Sequence, residues 1–201
     1  MNLVAPKLKT LRSEYPDVIV ELSIEDGLTD IVSAGFDAGI RNGEQLEQDM
    51  IAVRIGPDLR STVVAAPIYF ERRPPPSTPE DLKAHSCIGY RKITAGELYR
   101  WEFEKSGRAL RVAVTVDVIT NDMDLMIRAA LDGLGLAYMT EDQVAEHVAS
   151  GALVPVLQDW CVPFAGSFLY YPSGRQLAPA MRVIIDALRH NPGRGGVAGG
   201  R

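Results

Sequence analysis

The sequence predicts an α/β chain of two similar lobes. The first observation behind this is an internal repeat. Val20 to Gly35, VELSIEDGLTDIVSAG, reads as a strand, a turn and an amphipathic helix stopped by a glycine, and Leu136 to Gly151, LAYMTEDQVAEHVASG, returns to the same grammar. At one constant offset Glu25-Asp26 falls on Glu141-Asp142, Gly35 on Gly151, Leu28 on Val144 and Val32 on Val148. Residues three and four apart share a helix face, so Leu28, Ile31 and Val32 cover one side. A glycine just past the last turn supplies the left-handed conformation that ends a helix. The second observation is length: 201 residues suit one domain of two lobes or two small domains. The third is composition, 46% hydrophobic and 23% charged, which is ordinary for a globular α/β chain.

Taken in order, residues 2–15 form a helix. Val4, Leu8, Leu11 and Tyr15 recur at helical spacing with Lys7, Lys9 and Arg12 opposite, and Pro6 is tolerable near the first turn. Tyr15-Pro16-Asp17 ends it, and Val18 to Ile24 alternates as a strand. After the repeat helix, Phe36 to Arg41 is a short strand, Asn42-Gly43 a turn, Met50 to Ile55 a strand, Gly56-Pro57-Asp58 a turn and Arg60 to Ala66 an apolar strand. Residues 71–79, ERRPPPSTP, carry four prolines and make a stiff connection, so a lobe boundary is set just before them. Thr78 caps a short helix with Pro79 at its first position. Cys87 to Tyr90 and Tyr99 to Glu104 are strands, Ser106-Gly107 a turn, and Ala109 to Val118 strand-rich. Asn121-Asp122 opens a helix with the stripe Met123, Met126, Ile127, Ala130 and Leu131, ended by Gly133. Leu136 to Met139 is a strand, and Thr140 with Gln143 forms a capping box. Leu153 to Leu157 and Ser167 to Tyr171 are strands, and Leu177 to His190 is the last helix. The tail, residues 191–201, has five glycines in eleven residues and is expected to be disordered.

The repeat exposes a gap. Helix 122–132 is preceded by the strand Val112 to Ile119, whereas helix 2–15 has no strand before it. A parallel βαβ unit needs that earlier strand. The first strand of the first lobe is therefore expected to be missing, either because the chain is a fragment or because something else fills the slot.

Several functions are disfavoured by composition. The net charge of −5 and pI of about 5.3 lack the basic footprint of a nucleic-acid surface. The two cysteines, Cys87 and Cys161, sit in no CxxC and imply no disulfide framework, which fits a reduced cytoplasmic compartment. There is no signal-peptide core and no run long enough to span a bilayer. His85, His147 and His190 lack ligand spacing and read as surface residues, so no metal is expected. Gly133-x-Gly135 follows a helix rather than a strand and reads as helix termination, not a dinucleotide fingerprint. Asp122 and Asp124 are helix caps and dipole partners before they are metal ligands. Ser33 and Ser150 have no nucleophile elbow around them. His85 and Cys87 share a strand face, yet a buried strand cysteine is the better reading than a nucleophile pair. No enzyme constellation and no cofactor are expected.

Five segments carry a family resemblance: DGLTDIVSAGFDAGIRNG with the following DMIAVRIGP; RSTVVAAPIYFERRPPPSTPEDLKAHSCIGYR; NDMDLMIRAALDGLGLAYM; and the ending FLYYPSGRQLAPAMRVIIDALR. Together, over about residues 2–190, they resemble the effector-sensing (substrate-binding) domain of LysR-type transcriptional regulators. The resemblance implies two Rossmann-like lobes of type 2 periplasmic-binding-protein architecture with a small-molecule cleft between them. Lobe I would comprise residues 1–66 plus 162–190, and lobe II residues 67–161. It implies a homodimer or tetramer, and DNA contact only through an N-terminal helix-turn-helix that these residues do not contain. The family also carries a linker helix that is not here. The alternative is a stand-alone cytosolic small-solute binding protein of the same fold.

Ligands of open α/β sheets sit outside the carboxyl ends of the strands. That places the expected effector site at Asp26, at Ala65, Ala66 and Pro67, at Thr120, Asn121 and Asp122, and at Tyr138 and Met139. Helix starts at Asn121 and Thr140 suit a carboxylate, so a small organic effector, with an anion favoured, is expected to bridge Ala66 on one lobe with Asn121 and Tyr138 on the other. The expected dimer surface pairs helix 2–15 with helix 122–132 of a partner, through Val4, Leu8, Leu11, Met123, Ile127 and Leu131.

Overall fold

The structure, a computed structural model, describes residues 3–24, 30–43, 49–92, 96–174 and 176–190. In chain order the elements are α1 (Ala5–Glu14), β1 (Gly39–Asn42), β2 (Met50–Arg54), β3 (Leu59–Ala65), α2 (Pro67–Phe70), a 3-10 helix (Pro79–Ala84), β4 (Cys87–Tyr90), β5 (Trp101–Lys105), β6 (Arg108–Val112) and β7 (Val116–Thr120). There follow α3 (Met123–Leu131), β8 (Leu136–Thr140), α4 (Glu141–Ala149), β9 (Val154–Val156), a 3-10 turn (Gln158–Trp160), β10 (Pro163–Phe164), β11 (Ser167–Pro172) and α5 (Pro179–Leu188). Contacts divide the chain into two compact units. One is Met1–Glu25 with Thr29–Asp58 and Phe164–Arg201, and the other is Asp26–Leu28 with Leu59–Pro163. The proline-rich residues 71–79 lie inside the second unit, because β3 before them is held there by β8 and β9.

The second unit is a twisted sheet in the order β10-β3-β8-β4-β7, with β9 also on β3. β4 runs parallel to β7 and β8, whereas β3 runs antiparallel to β8. Strands covered on both faces need apolar residues at every position, and the last three residues of β3, Val63–Ala65, supply them. Val63 and Ala65 join a cluster with Leu136, Cys87, Trp101 and Phe103 under the β5-β6 hairpin. Val64, between them in sequence, points the other way into Ile88, Ala137, Met139, Met126, Ala130 and Val144 under α3 and α4. The hairpin turns at Ser106 and Gly107, both at positive φ (53° and 76°), the pair of left-handed residues that a tight two-residue turn between twisted strands requires.

The first unit is a three-stranded antiparallel sheet in the order β1-β11-β2. β11 alternates buried and half-buried residues, the signature of a sheet covered on one face. Leu169 and Tyr171 meet Val53, Ile55 and the α5 residues Met181, Ile185 and Leu188. Lys7 of α1 donates from Nζ to the Leu188 carbonyl at 2.8 Å, satisfying one of the carbonyls left over at the end of α5.

Three expectations need correction. Val18–Ile24 is not a strand: among the described residues nothing pairs with it, and Ile19, Leu22 and Ile24 are exposed. An alternating pattern cannot make a strand without a neighbour to complete its ladder. The helix expected after it is a single turn over Asp30–Gly35, with residues 25–29 outside the described set. That turn ends with Gly35 N-H donating to the Val32 carbonyl and Phe36 N-H to the Ile31 carbonyl, with Gly35 at φ 80°. Gly133 repeats both bonds, to Ala130 and, from Leu134, to Ala129. β1 and β2 flank β11 antiparallel as β8 and β9 flank β3, and in chain order β1, which follows Gly35, answers to β8, which follows Gly133. Gly35 is thus the counterpart of Gly133 rather than of Gly151, and the offset of the sequence repeat is one element out of step. The expectation of a disordered tail falls outside the described residues.

Candidate functional site

The strand register fixes which end of the second unit's sheet gathers polar groups. β4 and β7 pair Tyr90 with Thr120, and β3 and β8 pair Ser61 with Thr140. The carboxyl ends of β4, β7 and β8 and the amino end of β3 therefore share one edge. With strands about 4.8 Å apart, Thr120 and Thr140 stand on the order of 10 Å from each other across β4.

Local sequence builds this edge. Thr120 is buried, and its Oγ1 accepts from Asp122 N-H at 3.0 Å. Asp122 is the N-cap of α3 and accepts from Leu125 N-H at 2.8 Å. Asn121 lies between them, exposed. Thr140 caps α4 in a reciprocal pair with Gln143, whose Oε1 accepts from Thr140 N-H at 3.0 Å. Two helix starts thus face the same edge, each with a positive dipole end. Arg60, at the start of β3, adds a full positive charge. Its Nε donates to the Cys161 carbonyl at 2.6 Å and lies 4.0 Å from Glu141 Oε1. Asp122, Asp124, Glu141 and Asp142 in the first turns offset part of this field.

The remaining sequence-derived residues are placed elsewhere. Ala65, Ala66 and Pro67 lie at the opposite edge: β3 runs antiparallel to β8, and Ala66 N-H donates to the carbonyl of Ala130, at the far end of α3 from Asn121. A helix of nine residues spans about 14 Å, so a small effector cannot bridge Ala66 with Asn121. Tyr138 is drawn under the β5-β6 hairpin. Its hydroxyl donates to the Glu102 carbonyl at 2.6 Å, and its ring lies 5.5 Å from Trp101 and 5.8 Å from Phe103. Burial is the first cause that raises its phenol to about 12, so it remains a donor. Met139 faces the other way into the core under α3 and α4. Asp26 lies outside the described residues. Sequence reading missed Arg60, Ser61 and Tyr90; the four-residue strand Cys87–Tyr90 was the available signal for Tyr90.

Of the dimer residues, Leu11 is 5% exposed, and Val4 packs against the α5 cluster. Met123, Ile127 and Leu131 pack half-buried against the core under α3. The apolar side chain of α3 that stands outward is Leu125, 50% exposed.

His85 is not a surface histidine. It is buried, with Nδ1 3.1 Å from the Tyr69 hydroxyl, and that hydroxyl accepts from Ser86 N-H and from Arg73. Burial, then the Arg73 charge, lowers its pKa. Cys87 is buried, and burial pushes its thiol up to about 12, the reverse of an activated nucleophile. Among the described residues no three His, Cys, Asp or Glu side chains form a group that could hold a metal ion, and no helix is long and apolar enough to cross a membrane.

The sequence profile of the LysR substrate binding domain matches residues 1–192. A Pseudomonas aeruginosa protein is 46% identical over 199 residues, 99% of this chain and 65% of its own length. The HTH-type transcriptional regulator PgrR of Escherichia coli is 38% identical over 189 residues, 94% of this chain and 63% of its own. The chain thus spans less than two thirds of either relative. Among solved structures, the regulatory domain of AphB from Vibrio vulnificus superimposes with a TM-score of 0.78 at 26% identity, covering 92% of this chain and 90% of that one.

Proposed function

Because the chain belongs to the LysR substrate binding domain family, we propose that it is the effector-sensing part of a transcriptional regulator. We take its small-molecule site to be the Thr120–Thr140 edge of the second unit. The observation that carries this reading is the meeting of three parallel strand ends, the amino ends of α3 and α4 and the Arg60 guanidinium on one edge. Main-chain N-H groups at helix starts hold anions without a dedicated side chain, and the buried Thr120 supplies a fixed hydroxyl. A small carboxylate suits such an edge. The acidic first turns limit how much negative charge it accepts, which favours a monoanion.

A thermal-shift panel of short mono- and dicarboxylates tests the reading. At least one monocarboxylate should raise the melting temperature in a concentration-dependent way, as any ligand of the folded state must. Asn121→Ala, which leaves the Asp122 cap in place, should weaken that ligand about tenfold, roughly one hydrogen bond to a charged group. Unchanged affinity in Asn121→Ala together with Thr120→Val would put the site elsewhere.

We also propose that two copies associate through α1 of one and α3 of the other, about a two-fold axis that makes the contact twice. Leu125 is the apolar group on α3 that this contact would cover. Leu125→Asp should therefore give a monomer by light scattering while leaving the fold intact. Leu11 sits in the interior of its own unit, so a charge there unfolds the protein rather than parting two copies. A dimer that survives Leu125→Asp would exclude this surface.

A further inference from the structure

Pro74, Pro75 and Pro76 have no N-H to give to any neighbour. Arg73, just before them, is the hydrogen-bonding side chain that ties this connection to the second unit. Its Nη1 donates to the Tyr69 hydroxyl at 3.2 Å and to Ser86 Oγ at 2.9 Å, and its guanidinium lies 5.8 Å from the centre of the Tyr69 ring. The Tyr69 hydroxyl is therefore a junction. It meets the connection through Arg73, the lead into β4 through Ser86 N-H at 3.0 Å, and the end of the 3-10 helix through His85 Nδ1 at 3.1 Å.

Counting donors fixes the state of that junction. A phenol oxygen has one proton to give and two lone pairs to accept with. Ser86 N-H and Arg73 take both lone pairs, so the phenol proton goes to His85 Nδ1 or to the Ser86 carbonyl. The carbonyl is 3.4 Å away and already accepts from Leu136 N-H at 2.9 Å, so the proton goes to Nδ1. Nδ1 is then bare, and His85 is the neutral tautomer with its proton on Nε2. The other charged or titratable groups that face His85 are Arg73 from the connection, Asp81 from the 3-10 helix and Cys87 from β4, whose thiol lies 3.9 Å from the His85 carbonyl. Arg73 opposes a charge on the ring, and Asp81, its carboxylate already held by Ser77 and Thr78 N-H, favours one. Cys87 stays a neutral thiol.

We propose that His85 is a proton-operated latch on the connection of residues 71–76: a proton on Nδ1 turns the Tyr69 hydroxyl around, and the hydroxyl lets go of Arg73. With Nδ1 protonated, three N-H groups converge on one oxygen that has room for two. Ser86 N-H is main chain, held in place by the pairing of β4 that follows it, and losing its partner would strand a half-buried donor. Arg73 is exposed, and water replaces the bonds of its guanidinium. Arg73 is thus the donor that leaves, and the phenol proton moves to the Ser86 carbonyl. The imidazolium also repels the guanidinium, which weakens the remaining bond to Ser86 Oγ. At neutral pH the connection is fastened at Arg73; in acid it comes away there.

Isotope-edited NMR of the full chain tests this first on the unaltered protein. At about pH 7.5 the His85 ring should carry its proton on Nε2, and on acidification it should take up one more with a midpoint below about 6.5. The Tyr69 ring and the amides of Glu71, Arg72 and Arg73 should shift with that same midpoint. Exchange of those amides, corrected for its intrinsic dependence on pH, should be at least about tenfold faster on the acid side. His85→Gln is the matched variant, because its amide oxygen accepts from the Tyr69 hydroxyl and does not titrate; it should show neither change. A proton on Nδ1 at neutral pH would overturn the proposal. So would amides of residues 71–73 that stay fixed while His85 titrates, or that move equally in His85→Gln. The first two outcomes are read on the unaltered chain, so they decide the matter whether or not the variant folds.

Discussion

Two thiols and one imidazole carry the sharpest local expectations. Cys87 and Cys161 are 1% and 2% exposed in one apolar cluster, and burial raises their thiols to about 12 and about 11. Only the thiolate reacts, so both should resist iodoacetamide near neutral pH until the chain is unfolded. Rapid alkylation of either in native buffer, seen by mass spectrometry, would contradict the packing. His85 sets a pH dependence. Its folded pKa lies below the unfolded value of about 6.5, because burial first, and Arg73 second, disfavour the charged ring, with Asp81 opposing. The unfolded chain then binds the proton more readily, so this contribution is complete above about pH 6.5 and is lost as pH falls toward the folded pKa. The melting temperature should decline between about pH 7 and pH 5, and His85→Gln should flatten part of that decline. An identical slope in the variant would assign it to other groups.

The elements turn on their ends. Gly133 holds φ 73°, and a Cβ there would also meet Ile68 Cγ2 at 2.8 Å. The backbone alone costs a side-chain-bearing residue about 1–2 kcal/mol in this conformation, so Gly133→Ala should lower the urea midpoint correspondingly. Asp122→Ala removes the α3 cap and should cost about 1 kcal/mol. These ends were legible in the sequence, because caps and glycine stops are short-range chemistry: Thr140 with Gln143, Thr78 before Pro79, and Gly133 all act where the residue pattern puts them. Val18–Ile24 was not legible, because a strand is a property of a pair and its composition does not reveal whether a neighbour exists. The misassigned repeat has the same origin. Strand, turn, helix and glycine recur throughout an α/β chain, and only the order of strands in the sheet shows that Gly35 answers to Gly133.

At the scale of the whole molecule, net charge decides one expectation. Non-specific DNA affinity comes from cations that neutralise phosphates, and this chain carries 26 acidic against 21 basic side chains. It should not retard duplex DNA in a mobility-shift assay even at low salt; tight, salt-sensitive binding would contradict that. Half of the candidate site was readable. Thr120-Asn121-Asp122 announces itself as the polar step from a strand into a capped helix, and the register does bring it to the same edge as Thr140. The expectation sets Ala65-Ala66-Pro67 on one lobe, across a cleft from Asn121 and Tyr138, but the strand Arg60–Ala66 has no direction until it is paired, and it lies in the same unit as both. β3 proves antiparallel to β8, which exchanges its two ends and brings Arg60 and Ser61, rather than Ala66, to the site. The most direct test is amide chemical-shift mapping of the full chain with the carboxylate that gives the largest thermal shift. The account predicts the largest changes at Arg60, Thr120, Asn121 and Thr140; changes centred on Ala65, Ala66 and Cys87 would place the ligand at the opposite edge and contradict it.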